Sequence, residues 1–216
     1  MDFCVLMTET YKNRNAMKQL KAIIMTLLAV SLLAGCNKES NEDVIWDIAP
    51  IGFRILVTDS EGHDLLDSTR QDNLLKALTL DSEGETYPVL TVEEAWKKRQ
   101  GQTQTRAYMP TFLGLTLGRV WDPSTMMPIS YLLYFGEFDG TQNIARREAT
   151  LRLPDGHKVT LAYSNNFNWK SDGSPDIDRH YFLDGQELTD EEGRSGVYRF
   201  RYLPDNGLQY APRPKQ

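Results

Sequence analysis

The sequence has 216 residues, of which 24 are Lys or Arg and 30 are Asp or Glu, for a formal net charge of −6 at pH 7. This acidic balance argues against nucleic acid and anionic lipid headgroups as partners, because both would be repelled. The two cysteines, Cys4 and Cys36, lie near the N-terminus. The rest of the chain therefore has no thiol for a disulfide, a thiolate metal site or a cysteine nucleophile, and its core must stabilise it.

Residues 17–35 have the features of a signal peptide. Lys18 and Lys21 precede a predominantly apolar run over residues 22–34, which is shorter than the roughly 20 apolar residues that span a bilayer. The run ends in Leu33-Ala34-Gly35-Cys36, which resembles the lipobox of bacterial lipoproteins. The resemblance implies that Cys36 is acylated, for example with palmitate, and becomes the first residue of the mature chain. Residues 1–16 precede the natural start at Met17, and we expect them to be a non-native upstream extension.

The segment that follows Cys36 predicts the location of the protein. Residues 37–43 are polar, with no apolar side chain, and we assign residues 36–47 to a flexible acidic tether. Acidic residues directly after the lipidated cysteine resemble the signal that sends lipoproteins of Bacteroidetes bacteria to the outer face of their outer membrane. We therefore expect a domain that is anchored to the outer membrane through Cys36 and exposed at the cell surface.

Residues 48–203 are predicted to form a single domain, and its first half contains two strand signals and one helix signal. Apolar side chains alternate over residues 51–57, with the period of two that marks a strand with one buried face. The letters Asp-Ser-Glu-Gly occur at residues 59–62 and again at 81–84. The second of these turns favours a hairpin between residues 74–80 and 85–90. Thr91 and Glu94 fit a capping box, which predicts one short helix ending near Arg99.

The second half contains further strand signals. An apolar segment at residues 108–120 precedes residues 129–138, which we expect to form the central strand because they are the most hydrophobic. Residues 151–163 form the clearest hairpin, and short strands are predicted at residues 181–183 and 197–203. Residues 204–216 are rich in Pro and Gly and are expected to be a disordered tail. The pattern predicts an all-β fold, an antiparallel β-sandwich with one short helix, with a β-barrel as the alternative.

Several short motifs of the domain carry a resemblance to a protein family. They are Ile55-Leu56-Val57-Thr58-Asp59, Gly62, Asp64-Leu65-Leu66-Asp67, Tyr87 and Tyr134-Phe135-Gly136-Glu137-Phe138. Together they resemble a group of small lipoproteins of gut Bacteroidetes that have immunoglobulin-like domains. That group has no agreed activity, so the resemblance implies an immunoglobulin-like sandwich and a location in the cell envelope, and nothing about a reaction.

The segment 164–179 is the candidate binding site. We predict a long polar loop here, and loops of this length without secondary structure are often functional. Its aromatic residues Phe167 and Trp169 either pack onto one end of the sandwich or face a ligand. In the second interpretation Trp169 offers a flat apolar face to a sugar ring or a partner protein, while polar neighbours supply hydrogen bonds around it. Those neighbours are Asn166, Asn168 and Asp172.

The same segment contains a calcium candidate. Asp172, Asp176 and Asp178 supply the hard oxygen donors that calcium prefers, although their spacing is not that of an EF-hand. The histidines give no metal signal, because they are far apart and none has a second ligand at metal spacing. They are His63, His157 and His180. We expect no cofactor.

Two further patterns concern glycans. Asp67-Ser68-Thr69 resembles the three-residue acceptor motif for O-glycosylation in Bacteroidetes, which implies a glycan on Ser68 or Thr69. Glu137 and Asp139 lie two residues apart on a predicted strand, which places both carboxylates on one face with about 7 Å between the two residues. This spacing does not exclude the carboxyl pair of a glycosidase. We prefer the solvated end of a strand, because catalytic pairs usually come from separate strands.

The favoured function is that of a non-enzymatic, lipid-anchored structural or partner-binding module, whose partner is an unknown protein or glycan. A glycan-binding surface lipoprotein is the alternative, and a glycoside hydrolase is the least favoured. The chain contains no Gly-rich phosphate loop, no Gly-x-Ser-x-Gly elbow and no HExxH motif.

Overall fold

A computed structural model describes residues 48–101 and 111–213. The predicted upstream extension, the signal peptide, Cys36 and the tether lie outside the described residues, and so does the start of the predicted apolar segment at residue 108. These expectations stay predictions.

The described part of the chain contains eleven strands and two helices. In chain order the strands are β1 (Ile51–Thr58), β2 (Thr79–Ser82), β3 (Glu85–Pro88), β4 (Leu115–Trp121), β5 (Pro128–Phe138), β6 (Ile144–Arg152), β7 (Lys158–Trp169), β8 (Pro175–Leu183), β9 (Gln186–Glu187), β10 (Val197–Leu203) and β11 (Gly207–Tyr210). The helices are α1 (Val92–Gln100) and α2 (Glu191–Arg194). Within the described ranges, neither helix is long and apolar enough to cross a membrane.

The strands form two sheets, which confirms the prediction of an all-β sandwich. The five-stranded sheet has the order β11-β10-β1-β5-β4, and the six-stranded sheet has the order β3-β2-β6-β7-β8-β9. All neighbours are antiparallel except β1 and β10, which are parallel. These two strands come from opposite ends of the domain, so no hairpin turn dictates their relative direction.

The predicted hairpin at residues 81–84 and the capped helix are both present. Strands β2 and β3 pair across the turn. At the start of α1 the Thr91 N–H donates to Glu94 Oε2 at 2.8 Å, and the Glu94 N–H donates to Thr91 Oγ1 at 3.2 Å. Helix α2, of four residues, is one helix more than the sequence indicated.

Strand β1 occupies the centre of the five-stranded sheet. Its inward residues Ile51, Phe53, Ile55 and Val57 are almost fully buried, as the alternation predicts. Strand β5, which we expected to be central, lies one position from the edge. Strand β5 has a neighbour on each side, β1 and β4, and any strand with two neighbours can be as hydrophobic as the strand at the centre.

Two expectations about irregular segments are wrong. Residues 204–216 were expected to be disordered, but β11 lies within them and pairs with β10. The Tyr210 hydroxyl donates to Asp190 Oδ2 at 2.7 Å, which attaches this last strand to the start of α2. Pro204 and Gly207 flank the tight turn before β11, so these residues shape a hairpin and do not indicate disorder. Residues 164–179, expected to be a loop, are considered with the site below.

A buried tyrosine connects the two sheets. Tyr198 lies on β10, and its hydroxyl donates to the carbonyl oxygens of Ala162 at 3.2 Å and Phe182 at 3.1 Å, which belong to β7 and β8 of the opposite sheet. Burial raises the pKa of this hydroxyl far above its usual range. The contact fixes the position of one sheet relative to the other, in a way that apolar packing alone does not.

We therefore expect Tyr198→Phe to lower the free energy of unfolding by about 1–3 kcal/mol, because two backbone carbonyls lose a buried donor. The matched control is Tyr202→Phe, which removes an exposed hydroxyl bonded to Asp155 and should cost less than about 0.5 kcal/mol. Chemical denaturation of both variants measures the difference. Equal stability of the two variants would contradict this role for Tyr198.

Candidate functional site

The segment 164–179 is a β-hairpin, which corrects the prediction of a loop. Strands β7 and β8 pair continuously over it, from Ser164 opposite His180 to Trp169 opposite Pro175. Only residues 170–174 form the connecting turn, closed by the Lys170 N–H donating to the Ser174 carbonyl at 2.9 Å. The sequence predicted a loop because most side chains of the segment are polar. The prediction failed because the solvent-facing side of a strand also has polar side chains.

The alternation along β7 separates the two aromatic residues from the asparagines. Phe167 is buried, with 7% of its surface exposed, whereas Trp169 is 58% exposed. Asn166 and Asn168 lie on the opposite face of the strand and are exposed. The structure therefore does not bring Asn166 and Asn168 around Trp169, and the predicted cluster of these residues is not assembled.

Trp169 instead belongs to a small apolar surface, which we call the hairpin patch and define as Phe167, Trp169, Pro175 and Ile177. The rings of Phe167 and Trp169 meet edge to face, with centroids 5.1 Å apart. Pro175 and Ile177 lie directly opposite Trp169 and Phe167 on β8, and Ile177 is 41% exposed. A buried ring thus supports an exposed one on a paired strand, which holds the indole in a fixed position.

The other face of the same hairpin contributes to a groove of about 400 Å³, which we call the polar groove after the polar side chains in its lining; Ile144 and Ala145 also line it. The groove lies over β6, β7 and β8, and its lining includes Asn143, Ser164, Asn166, Asp178 and His180. The Glu187 and Asp178 carboxylates lie 2.6 Å and 2.9 Å from the two ring nitrogens of His180. They raise the pKa of His180 above its usual value. The groove therefore combines amide, hydroxyl, carboxylate and imidazole groups.

The structure does not assemble the calcium candidate. Asp172 lies in the turn, where its Oδ1 accepts from the Ser174 N–H at 2.9 Å and from the Ser174 hydroxyl at 2.6 Å. Asp176 lies 3.6 Å from Lys170 Nζ, and Asp178 pairs with His180. Within the described residues, no group of three or more His, Cys, Asp or Glu side chains is placed to hold a metal ion. Each aspartate instead has a nearby partner inside the hairpin.

Glu137 and Asp139 occupy two different environments. Asp139 Oδ1 accepts from the Thr141 N–H at 2.9 Å and the Thr141 hydroxyl at 2.7 Å, and these hydrogen bonds lower its pKa. Glu137 is the extra residue of a bulge between β1 and β5, with φ of 71°, and partial burial raises its pKa. A non-glycine residue at positive φ is uncommon and strained. Neither residue lines the polar groove.

The glycosylation candidates Ser68 and Thr69 are exposed. The N–H and hydroxyl of Thr69 both donate to Asp67 Oδ1, at 2.9 Å and 2.8 Å. The aspartate of the three-residue motif thus holds the threonine in a turn at the surface. Modification of either residue remains a prediction.

Two other exposed apolar regions were not predicted from the sequence. The hairpin that joins β4 and β5 exposes Trp121, Met126, Met127 and Ile129, and Trp96 on α1 is exposed beside a mostly apolar groove against β4. The signal was present as Trp121-Asp122-Pro123 followed by two methionines, but Trp and Met side chains are more often buried than exposed.

Comparisons with protein-family models, with curated proteins and with solved structures gave no match to this chain. The function is therefore inferred from the geometry of the domain and from the N-terminal sequence.

The opposite pKa shifts of Glu137 and Asp139 predict opposite effects of pH on stability. The pKa of Glu137 is raised in the folded state, so its contribution favours folding below the unfolded value of 4.5 and is lost as the pH rises through the folded value. We expect Glu137→Gln to raise the melting temperature at pH 7 and to leave it nearly unchanged at a pH below 4.5.

Asp139 is the matched comparison. Its folded pKa is lowered, so its contribution is present above the unfolded value of 3.8 and is lost as the pH falls. Asp139→Asn should therefore lower the melting temperature at pH 7. Calorimetry of both variants across this pH range measures their melting temperatures. If both substitutions change the melting temperature at pH 7 in the same direction, the opposite pKa shifts of Glu137 and Asp139 are contradicted.

Proposed function

We propose that this protein is a non-enzymatic, lipid-anchored module of the bacterial outer membrane that binds a partner protein through the hairpin patch. The observation that carries the proposal is the exposed Trp169, supported from below by the buried Phe167 on a fully paired hairpin. Tryptophan is enriched among the residues that dominate binding energy at protein interfaces. An indole that is already fixed loses little conformational freedom on binding.

The neighbours of Trp169 favour a protein over a sugar at this patch. Pro175 lies opposite Trp169, and Ile177 lies opposite Phe167 on the same face, whereas the asparagines that would bind sugar hydroxyls lie on the other face. An apolar patch around an aromatic centre is the arrangement found in the core of protein interfaces.

The polar groove favours a second function, glycan binding. Its lining includes Asn143, Ser164, Asn166 and Asp178, which together supply amide, hydroxyl and carboxylate groups. The amide and hydroxyl groups both donate and accept hydrogen bonds and the carboxylate accepts them, and a sugar hydroxyl can bond to all three. This second function uses the opposite face of the hairpin and is separable from the first.

The anchor and the display on the cell surface are supported by the N-terminal sequence alone. Residues 33–36 match the lipobox pattern, and the polar segment after Cys36 resembles the surface-export signal of Bacteroidetes lipoproteins. A non-enzymatic role is supported by Asp139, whose Oδ1 is already occupied by hydrogen bonds from the N–H and the hydroxyl of Thr141 within a turn.

Cys36→Ala should produce an unprocessed precursor of higher mass that does not incorporate labelled palmitate. The matched control is Ser40→Ala, which should be processed and labelled like the parent chain, because Ser40 follows the lipobox and is not part of it. Mass spectrometry and metabolic labelling in the bacterium measure both. An acylated and cleaved Cys36→Ala protein would exclude the proposed anchor.

Trp169→Ala should abolish partner binding while it lowers the free energy of unfolding by less than about 1 kcal/mol, far below the roughly 3–5 kcal/mol of a buried aromatic. Trp121→Ala is the control, because Trp121 is 49% exposed and lies on a different hairpin. Quantitative mass spectrometry of proteins crosslinked to the two variants and to the parent chain on intact cells makes the comparison. The proposal requires a crosslinked protein that is retained with Trp121→Ala and lost with Trp169→Ala.

The outcome that contradicts the protein-binding proposal is a set of crosslinked proteins that Trp169→Ala does not change. A glycan array with the same variants tests the second function. Retention on the array that is lost with Asn166→Ala and kept with Trp169→Ala would assign glycan binding to the polar groove.

A further inference from the structure

Another pocket of the domain, separate from the two grooves described above, is lined by three arginines. It has a volume of about 380 Å³ and lies beside the start of β1, where β5, β8 and the end of α2 meet. We call it the arginine pocket and define it by Arg54, Arg179, Arg194, Tyr134 and Tyr181. The remaining lining residues are uncharged: Ala49, Pro50, Gly52 and Ser195.

The three guanidinium groups of this pocket lack carboxylate partners. Within residues 48–101 and 111–213, no Asp or Glu lies within 4.0 Å of them, whereas six other arginines do have such partners. Those six are Arg70, Arg146, Arg147, Arg152, Arg199 and Arg213. Acidic residues outnumber basic ones in this chain. The pocket, in contrast, has three arginines and no acidic residue in its lining, so it is positively charged in a chain that is negatively charged as a whole.

Neutral oxygen atoms hold two of these arginines in place. Arg54 Nη2 donates to the Ser195 carbonyl at 2.5 Å. Arg179 Nε donates to Asn165 Oδ1 at 3.0 Å, and its Nη2 donates to the Ala49 carbonyl at 3.3 Å. These bonds orient the guanidinium groups without neutralising them. Each guanidinium has five N–H donors, so most of the donors remain available to a ligand.

Asn165 is the positioning residue for Arg179. It is 2% exposed, and its Nδ2 donates to the carbonyls of Gly140 at 3.0 Å and Gln142 at 2.7 Å. With both amide protons used in this way, Oδ1 must face Arg179. A buried side chain that is fully bonded therefore fixes the direction of one cation in the pocket.

The two tyrosines add hydroxyl donors. Tyr181 is 3% exposed, and its hydroxyl forms no hydrogen bond with another described residue although the side chain lines the pocket. The Tyr134 hydroxyl accepts from the Glu137 N–H at 3.2 Å, which leaves its own proton free to donate. Burial raises the pKa of Tyr134, so this proton is retained at neutral pH.

Glycines allow both rings to approach the backbone. A Cβ atom at Gly52 would lie 2.6 Å from the Tyr134 ring, and one at Gly196 would lie 2.7 Å from the Tyr181 ring. Gly196 also has φ of 72°, which favours glycine at that position. The small residues thus place both tyrosines where they line the pocket.

We propose that the arginine pocket binds a small molecule through an oxyanionic group, namely a carboxylate, sulfate or phosphate. Guanidinium forks match the geometry of these groups with pairs of parallel hydrogen bonds. The hydroxyl of Tyr181, which has no hydrogen-bond partner among the described residues although the side chain lines the pocket, supplies a further donor. The volume lies in the range of small-molecule sites, about 300–1,000 Å³. The site is separate from the hairpin patch, and the proposal does not depend on the proposed function.

Isothermal titration calorimetry of the purified domain, in a buffer free of these anions, tests the proposal with defined probes. The probes are glucuronate, glucose 6-sulfate, glucose 6-phosphate and inorganic phosphate, with glucose as the neutral reference. We expect saturable binding of at least one anionic probe, no binding of glucose, and weaker binding as the ionic strength rises. Equal affinity for phosphate and glucose 6-phosphate would support the proposal and would show that the pocket recognises the oxyanion and not the sugar.

Three variants and one control locate the binding. Arg179→Gln and Arg194→Gln should each lower the affinity about tenfold or more, and Tyr181→Phe should lower it several-fold, because charge-assisted hydrogen bonds are the strongest of those lost. Arg194 is exposed and its side chain forms no bond to another described residue, so this variant retains its fold. Arg119→Gln, an exposed arginine on β4 outside the pocket, should bind like the parent chain.

Two results would overturn the proposal. The first is no saturable binding of any of the four anionic probes to the folded domain. The second is an affinity that falls equally in Arg194→Gln and Arg119→Gln, since such a fall would report general surface charge. Both results are independent of the Trp169 experiment, which measures a different face of the domain.

Discussion

The packing of Phe53 at the centre of the sandwich is the interaction on which the other features depend. Its ring lies fully buried on β1, with ring centroids 5.7 Å from Tyr163 of the opposite sheet and 5.6 Å from Tyr198 of its own sheet. Both contacts are edge to face, an arrangement that adds about 0.5–1.5 kcal/mol to the value of burial alone. Because both cysteines precede residue 37, such contacts must stabilise the domain without disulfides.

Alternate side chains of β1 belong to the core and to the arginine pocket. Phe53 points between the sheets, so its neighbours Gly52 and Arg54 are placed on the other face of the strand. Arg54 lies opposite Tyr134 on β5 and opposite Val197 on β10, and the Arg54 N–H donates to the Gly196 carbonyl at 2.9 Å. Forming the core therefore also brings the residues of the pocket together, although they are distant in the sequence.

The parts of the fold that could be predicted are those in which local and tertiary signals agree. Alternation over residues 51–57 predicted β1, and the pair Thr91 and Glu94 predicted the start of α1. The predictions for residues 164–179 and 207–210 failed for two reasons. The first segment has polar side chains on a solvent-facing side, and the second lies among Pro and Gly residues that were taken to indicate disorder. In both segments only the neighbouring strand shows that the backbone is paired.

The sites were harder to predict than the fold. Trp169 was selected as a candidate for its aromatic ring, with packing onto the sandwich and contact with a ligand both left open. The structure exposes it, but its polar neighbours in the sequence lie on the opposite face, which only the strand geometry reveals. The arginine pocket had no local signal, because Arg54, Arg179 and Arg194 come from three separate elements. Their convergence depends on the parallel pairing of β1 with β10, a long-range contact that no hairpin motif encodes.

Strand β7 connects the two proposed binding surfaces through its buried face. Asn165 and Phe167 are consecutive inward residues of this strand; the first orients Arg179 and the second supports Trp169. The Asn143 side chain also accepts a hydrogen bond from the Phe167 N–H at 2.5 Å, which holds this part of the strand against the turn before β6. Arg179 and Trp169 are thus both positioned by inward residues of β7, although the first lines the arginine pocket and the second belongs to the hairpin patch. A paired strand with bonded inward residues resists local opening, so the two surfaces are held in fixed geometry before any ligand arrives.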